Sequence, residues 1–244
     1  MSDELLPVAI LAGGLATRLR PLSHKIPKSL VDIGGEAFIV HQLRLLRESG
    51  ITKITICAGY LGEMIEELLG NGLRHGVEVS YSFDGPSLRG TAGAIKQALP
   101  LLGESFFVLY GDSYLPCDYR LVQAAFVNLN LPTLMTVFRN EGRWDSSNVE
   151  YSNCQILDYD KANPHSRMHH IDYGLSVCHR SVFDEISLVG AHDLAPLYKN
   201  LLVQGRLAGY EVSQRFYEIG SFAGLEDLRE YFAARQELSA KVTP

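Results

Sequence analysis

No apolar run approaches the roughly 20 residues that a membrane-spanning helix needs, and the only cysteines are four isolated ones, Cys57, Cys117, Cys154 and Cys178. The first absence argues against a helical membrane span. With no C-x-x-C pair, a zinc knuckle and a thioredoxin-type redox site are disfavoured, and the cysteines are expected as reduced thiols of the core. Charge of one sign is not concentrated anywhere, and the formal net charge is −6. That balance argues against a broad electrostatic grip on a nucleic-acid backbone, so any anion site must be built locally from a few cations and backbone N–H groups. Two common nucleotide signatures are missing as well. There is no G-x-x-x-x-G-K-[ST] loop and no G-x-G-x-x-G fingerprint, and Lys28-Ser29 lacks the glycine that would make it part of a Walker loop. Internal repeats, low-complexity tracts and Ser/Gly/Pro linkers are absent too. The opening Met1-Ser2-Asp3-Glu4 is acidic and lacks the basic start and longer apolar core of a secretory signal, which makes the cytoplasm the expected location.

What is present reads as α/β. Short β-branched runs (Val8–Leu11, Lys53–Cys57, Val77–Phe83, Phe106–Tyr110, Thr133–Phe138) alternate with segments of helical spacing (Phe38–Glu48, Met64–Leu69, Ala92–Leu99, Leu121–Asn128). This alternation predicts a mainly parallel sheet flanked by helices, with the C-terminal strand ends on one ligand-binding rim. Gly50, Gly76 and Gly103 stand where helices are expected to stop. The second half is less regular, with strand-like Val149–Tyr151, Gln155–Leu157 and Ile171–Val177 and helical stretches near Leu194–Leu202 and Leu225–Leu238. It is expected to form a small lid-like subdomain completing the same sheet. The expected organisation is one domain over residues 1–238 with a short tail at 239–244.

The chemistry is concentrated in Val8-Ala9-Ile10-Leu11-Ala12-Gly13-Gly14-Leu15-Ala16-Thr17-Arg18-Leu19-Arg20-Pro21, followed by Pro27-Lys28. A buried strand ends in paired glycines that let backbone N–H groups approach an anion, and nearby arginines and a lysine add positive charge. Such a loop suits a polyphosphate. Leu11-Ala12-Gly13-Gly14, Thr17-Arg18-Leu19, Pro21, Pro27-Lys28-Ser29-Leu30 and Gly34 resemble the signature of the sugar-phosphate nucleotidyltransferases, L-A-G-G-x-x-T-R-L-x-P, then P-K-x-L, then a glycine. Ala16 departs from the glycine common at its position. Further resemblances follow in order: Leu88-Arg89-Gly90-Thr91-Ala92-Gly93-Ala94 to L-G-T-A-G-A, with Arg89 inserted; Gly111-Asp112 to the family's G-D; Asp160-Lys161 to its acidic-lysine pair, without the usual following proline; Ile171-Asp172-Tyr173-Gly174-Leu175 to its sugar-side strand; and Tyr217-Glu218-Ile219-Gly220-Ser221 to W-x-D-I-G-T, with glutamate for aspartate.

The resemblance implies a Rossmann-like, GT-A-like fold and a reaction in which a sugar 1-phosphate attacks the α-phosphorus of a nucleoside triphosphate, releasing pyrophosphate. It implies roles too. Leu11, Ala12, Gly13, Gly14, Thr17, Gly90 and Thr91 line the nucleotide, Arg18 holds the β- and γ-phosphates, and Lys28 stabilises the transferring group, which makes Arg18 and Lys28 the catalytic pair. Asp112 and Glu218 hold Mg2+, Lys161 clamps the sugar phosphate, and Gly174 and Asp172 meet the sugar. The nucleotide side is expected within about residues 1–130 and the sugar side within about 131–238. The spelling of these motifs is most similar to the short bacterial guanylyltransferases for heptose or mannose 1-phosphate, whose products feed surface polysaccharides. A C-terminal β-helix acyltransferase is not expected in a chain of this length. UTP or CTP with glucose, N-acetylmuramate or a non-sugar phosphate remains open at this stage, as does a non-catalytic nucleotide-binding regulator. The expected partners are the triphosphate and the sugar 1-phosphate, with neither nucleic acid nor membrane, and a homodimer is the family expectation.

Overall fold

A computed structural model describes residues 4–14 and 26–242, with side chains described up to residue 235. In chain order the elements are β1 (Val8–Ala12), β2 (Asp32–Ile33), β3 (Glu36–Ala37), α1 (Phe38–Ser49), β4 (Lys53–Ala58), α2 (Gly62–Leu69), β5 (Glu78–Phe83), α3 (Gly90–Ala98), β6 (Ser105–Tyr110), β7 (Ser113–Tyr114), α4 (Tyr119–Leu129), β8 (Thr133–Arg139), β9 (Val149–Ser152), β10 (Gln155–Tyr159), β11 (His170–His179), α5 (Leu194–Val203), β12 (Leu207–Val212), β13 (Tyr217–Glu218) and α6 (Phe222–Val242).

Nine strands form one mixed sheet. Its parallel half runs β5-β4-β1-β6, with Ile10 beside Ile56 and Leu109. β11 then pairs antiparallel to β6 and β8, and β12 joins β8 in parallel register. The hairpin β9-β10 attaches at the start of β11. The second half thus extends the sheet of the first.

Alternation along the strands sends residues to two apolar layers. Ile10, Ile54, Phe107 and Leu175 pack with Ile39 and Leu43 of α1 on one face. Ala9, Phe106, Val108 and Cys178 pack with Ile95 of α3 and Tyr198 of α5 on the other. Each such aliphatic or aromatic side chain taken from water contributes about 1.5–3 kcal/mol. A third cluster joins Val31, Ile33, Phe38 and Tyr114 to Ile219, Leu225 and Leu228 at the start of α6. This packing fixes where the late Tyr217–Ser221 segment lies. Among the described residues no helix is long and apolar enough to cross a membrane.

Three local expectations are corrected. α2 stops at Gly70, whereas Gly76 ends a single 3-10 turn over Leu73–His75. The strand β12 goes unpredicted because Leu207-Ala208-Gly209-Tyr210 carries residues of weak strand propensity. Cys154 is exposed on the β9-β10 turn at φ 60°, so only the other three cysteines are core thiols. Burial pushes the Cys57, Cys117 and Cys178 thiols up to about 12. Iodoacetamide applied to the native protein near neutral pH is therefore expected to alkylate Cys154 alone, with the other three reacting only after denaturation. Peptide mass spectrometry checks this, and adducts on Cys57 or Cys178 in the native protein would contradict the packing.

Candidate active site

The parallel strands end on one rim, and the residues that follow β1, β4, β5 and β6 are Gly13, Gly59, Asp84 and Gly111. The glycines permit loop backbones to touch. A Cβ on Gly59 would sit 2.7 Å from the Gly13 carbonyl oxygen, and one on Gly111 would sit 2.6 Å from that of Leu11. Gly111 also donates its N–H to Leu11 at 3.0 Å.

Two cavities open on this rim. The first, about 350 Å³, is lined by Leu11, Ala12, Gly13 and Gly14 from β1 and its loop, by Gly90 and Thr91 at the start of α3, and by Asp84 and Asp193. The second, about 410 Å³, is lined by Lys161, Asp172, Gly174, Asn148, Phe216 and Glu218. Lys28, Tyr110 and Asp112 line both, so they form the boundary where contents of the two cavities would meet.

Lys28 reaches this boundary from a 3-10 turn entered through Pro27, and its ammonium lies 2.7 Å from the Asp112 carboxylate. The Asp112 turn is held from below by buried Gln42 of α1, which donates to the carbonyls of Tyr110 (3.2 Å) and Ser113 (2.8 Å). Next to Lys28, Ser29 is a lining residue of the first cavity, and its hydroxyl is buried without a hydrogen-bond partner among the described residues.

Glu218 is carried to Asp112 by pairing of β13 with β7, Glu218 opposite Ser113, and by the Ile219 N–H donating to the Asp112 carbonyl at 2.9 Å. Its carboxylate accepts from the Gly220 N–H and the Ser221 hydroxyl, the latter at 2.6 Å, and so also shapes the entry to α6. The two carboxylates stand on backbone segments joined by this pairing, each with lone pairs to spare, and make a hard oxygen donor set. That set fits a divalent cation completed by substrate phosphates, and among the described residues no three His, Cys, Asp or Glu side chains form a cage of their own.

The start of α3 is locked to that of α5. Asp193 accepts from the Thr91 N–H (3.0 Å) and hydroxyl (3.2 Å), while the Thr91 hydroxyl accepts from the Leu194 N–H at 2.8 Å. Each residue thus caps the other's helix. Gly90, at φ 69°, lies against the His192 backbone, where a Cβ would be 2.6 Å from its carbonyl oxygen. Asp84 is 6% exposed, and burial pushes its carboxyl above the usual range although the Arg89 N–H and charge oppose this.

In the second cavity the Lys161 ammonium lies 2.8 Å from Asp172 and 5.0 Å from the centroid of the Tyr110 ring. Desolvation pulls Lys161 down, but the Asp172 carboxylate and the Tyr110 and Tyr159 hydroxyls outweigh it and hold its pKa well above the ordinary lysine value. Asp160 turns away to Lys199 at 2.6 Å and accepts from the Ala162 and Asn163 N–H groups, both at 2.9 Å. This side-chain turn bends the chain where the family's proline is missing. Burial pushes the Tyr110 hydroxyl up to about 12.

The structure therefore brings Leu11, Ala12, Gly13, Gly14, Lys28, Gly90, Thr91 and Asp112 to one cavity and Lys161, Asp172, Gly174 and Glu218 to its neighbour. Thr17 and Arg18 lie outside the described residues. Sequence reading missed Gln42, Asp84, Tyr110 and Asp193. Asp84 and Tyr110 were within reach, because they stand at the C-terminal ends of strands β5 and β6. No local signal marks Gln42 or Asp193. A near match to a hydrolase elbow, Gly174-Leu175-Ser176-Val177-Cys178, is inert in this fold: Ser176 is buried, bonded at 2.6 Å to the Tyr198 hydroxyl.

The model of the nucleotidyl transferase family matches residues 8–146. The N-acetylmuramate α-1-phosphate uridylyltransferase of Neisseria meningitidis is 30% identical over 225 residues, which cover 89% of this chain and 94% of that protein. The mannose-1-phosphate guanyltransferase of Neurospora crassa is 28% identical over 227 residues, 86% of this chain but only 60% of that protein. The solved structure of HddC from Yersinia pseudotuberculosis complexed with GMP-PN superposes with a TM-score of 0.76 at 22% identity, covering 93% of this chain and 100% of that one. Together with the glycine rim and the paired cavities, these matches establish that the chain belongs to the nucleotidyl transferase family, as a sugar-1-phosphate nucleotidyltransferase.

Proposed function

We propose that the chain transfers a guanylyl group from GTP to an uncharged sugar 1-phosphate of the mannose or heptose type, with Mg2+ as the metal, in the supply of surface polysaccharide precursors. The observation that carries the base assignment is Asp84, a buried carboxylate in the wall of the first cavity. Guanine offers two adjacent donors, N1–H and the 2-amino group, to one carboxylate. Uracil offers a single N–H flanked by two carbonyls, which a carboxylate repels. For the sugar, the outer wall of the second cavity holds Asp145 and Asn148, and Lys28 and Lys161 are the cations that line it among the described residues. With both assigned to phosphates, hydroxyls fit that wall better than a further acid group.

The chemistry requires little proton transfer. A phosphate monoester has its second pKa near about 6, so the attacking oxygen is already ionised at neutral pH. That oxygen forms a bond to the α-phosphorus as the bond to the bridging oxygen breaks and pyrophosphate leaves. The barrier is the approach of two anions and the charge that gathers on the leaving group. Gly13 and Gly14 present backbone donors, Lys28 meets the α-phosphate where the cavities join, and Lys161 holds the incoming phosphate. Arg18 is assigned to the β- and γ-phosphates by resemblance. When bound by Asp112 and Glu218, magnesium would supply charge neutralisation and orientation to the phosphates.

A panel of GTP, UTP, CTP and dTTP against mannose, heptose, glucose and N-acetylmuramate 1-phosphates, read by pyrophosphate release, tests the proposal. GTP with mannose or heptose 1-phosphate is expected to give the highest kcat/KM. Asp84→Asn is expected to reduce kcat/KM for GTP by about tenfold or more, because a charged acceptor is replaced in part by a donor. The Neisseria relative, which aligns over nearly its whole length, supports a second reading as a uridylyltransferase for N-acetylmuramate 1-phosphate. A preference for UTP in the unsubstituted protein would establish that reading against ours.

A further inference from the structure

We propose that Asp172 is the positioning residue of the sugar-phosphate clamp, acting through the Lys161 ammonium and making no contact with the sugar itself. The inference rests on the reading of Lys161 as the phosphate clamp, and it replaces the direct sugar contact that the family resemblance implies for Asp172.

The Asp172 side chain is 3% exposed, and its acceptors are filled from within the fold. Oδ2 accepts from the Lys161 ammonium at 2.8 Å and from the Tyr159 hydroxyl at 3.3 Å. Oδ1 accepts from the Gly174 N–H at 3.1 Å. The backbone is held as well, since the Asp172 N–H donates to the Asn148 side-chain carbonyl at 2.9 Å. Gly174 sits at φ 93°, inside a register shift of β11 against β8 between Asp172 and Ser176, and this irregularity is what turns its N–H onto the carboxylate. Asp172 is therefore a fixed anion inside the wall.

Lys161 is the opposite kind of residue. It stands in a bend beyond β10 on a flexible four-carbon stem, and its side chain is 37% exposed to the cavity. One of its N–H donors goes to Asp172 and others reach the Tyr110 and Tyr159 hydroxyls, so an incoming phosphate oxygen would displace a neutral hydroxyl contact and leave the ion pair in place. A lysine with no fixed partner would have to be ordered by the substrate each time it bound, so the pair supplies the clamp in an already organised form. It also keeps the ammonium charged. Lys161 faces Asp172 from β11, Tyr159 from β10 and Tyr110 from β6, with Lys28, Asp112, Asp145 and Glu218 around the cavity wall. Asp172 is the carboxylate in hydrogen-bond contact with it and the largest of the influences that raise its pKa, so its removal lets desolvation pull the Lys161 pKa downward.

Steady-state kinetics of Asp172→Asn, Asp172→Glu and Lys161→Ala with mannose 1-phosphate and GTP test this between about pH 7 and pH 9.5. Asp172→Asn is expected to raise KM for the sugar phosphate about tenfold at neutral pH and further as pH rises, while KM for GTP stays within about twofold. Asp172→Glu, which keeps the charge, should recover most of the loss and restore the flat pH profile. A flat profile and unchanged sugar-phosphate KM in Asp172→Asn, alongside a raised KM in Lys161→Ala, would overturn the positioning role and leave the clamp intact. Unchanged KM in Lys161→Ala would overturn the clamp reading itself. A measurement on the unsubstituted protein is independent of variant folding: the NMR signal of the Lys161 side chain should titrate above the ordinary lysine range, and titration at or below it would defeat the proposal.

Discussion

Lys28→Met is expected to lower kcat by about 10²- to 10³-fold, the range seen when one preorganised donor to a developing oxyanion is removed. Methionine preserves the length and most of the apolar stem, so the substitution isolates the ammonium. Lys28 is one of three residues lining both cavities, and the one cation among them. Its position is fixed by Pro27, by the 3-10 turn over Lys28–Leu30 and by a 2.7 Å contact with Asp112. The reaction builds negative charge where the two substrates join, and no other described cation lines that boundary. The stability change should be small, because Asp112 is 39% exposed and water can solvate it once Lys28 is gone. Saturating pyrophosphate-release assays together with a melting curve check both halves. A kcat near that of the unsubstituted protein, with only KM for the triphosphate raised, would reassign Lys28 to ground-state binding.

Gly111→Ala is the second large effect, and it is structural. The new methyl would lie 2.6 Å from the Leu11 carbonyl oxygen and 3.1 Å from the Ala12 Cα, both of them backbone atoms. No side chain can rotate away to relieve such a contact. β1 and β6 would have to part at the rim, stretching the Gly111 to Leu11 hydrogen bond and shifting Asp112. Overpacking of this kind costs about 1–3 kcal/mol, or about 3–10 °C in Tm for a chain of this size. Activity should fall further than stability, since the adjoining residue is the carboxylate between the cavities. Gly103→Ala is the control: the nearest atom to a methyl there is 3.7 Å away, and its Tm should stay within about 2 °C of the unsubstituted protein. Equal Tm values for the two variants would show that the rim is less tightly closed than these distances require.

Much of this arrangement was legible before any coordinates. Strands β1, β4 and β6 announce themselves by β-branched and aromatic runs, and α1 by Ile39, Leu43 and Leu46 at helical spacing before Gly50. The order of Gly13-Gly14, Lys28, Gly90-Thr91, Asp112 and Lys161 along the chain was enough to nominate a polyphosphate site, because each depends on a residue type that local backbone chemistry demands. Other features were hidden because their cause is distant. Thr91 and Asp193 cap each other's helices across 102 residues, and Gln42 steadies the Asp112 turn across 71. A capping aspartate and a core glutamine look the same in sequence whether or not such a partner exists.

The sequence alone determined which residues carry charge, where the backbone is free of a Cβ, and how apolar side chains alternate; from these follow the α/β class, the rim and the family. Tertiary structure decided what those charges do. It assigned Asp172 to Lys161, placed Asp84 in the wall of the first cavity, and carried Glu218 to Asp112 through the short β13-β7 pairing. The physical reason is that strand and helix patterns are set by neighbours a few residues away, whereas an ion pair or a buried carboxylate depends on which surfaces the packed core brings within about 3 Å of one another.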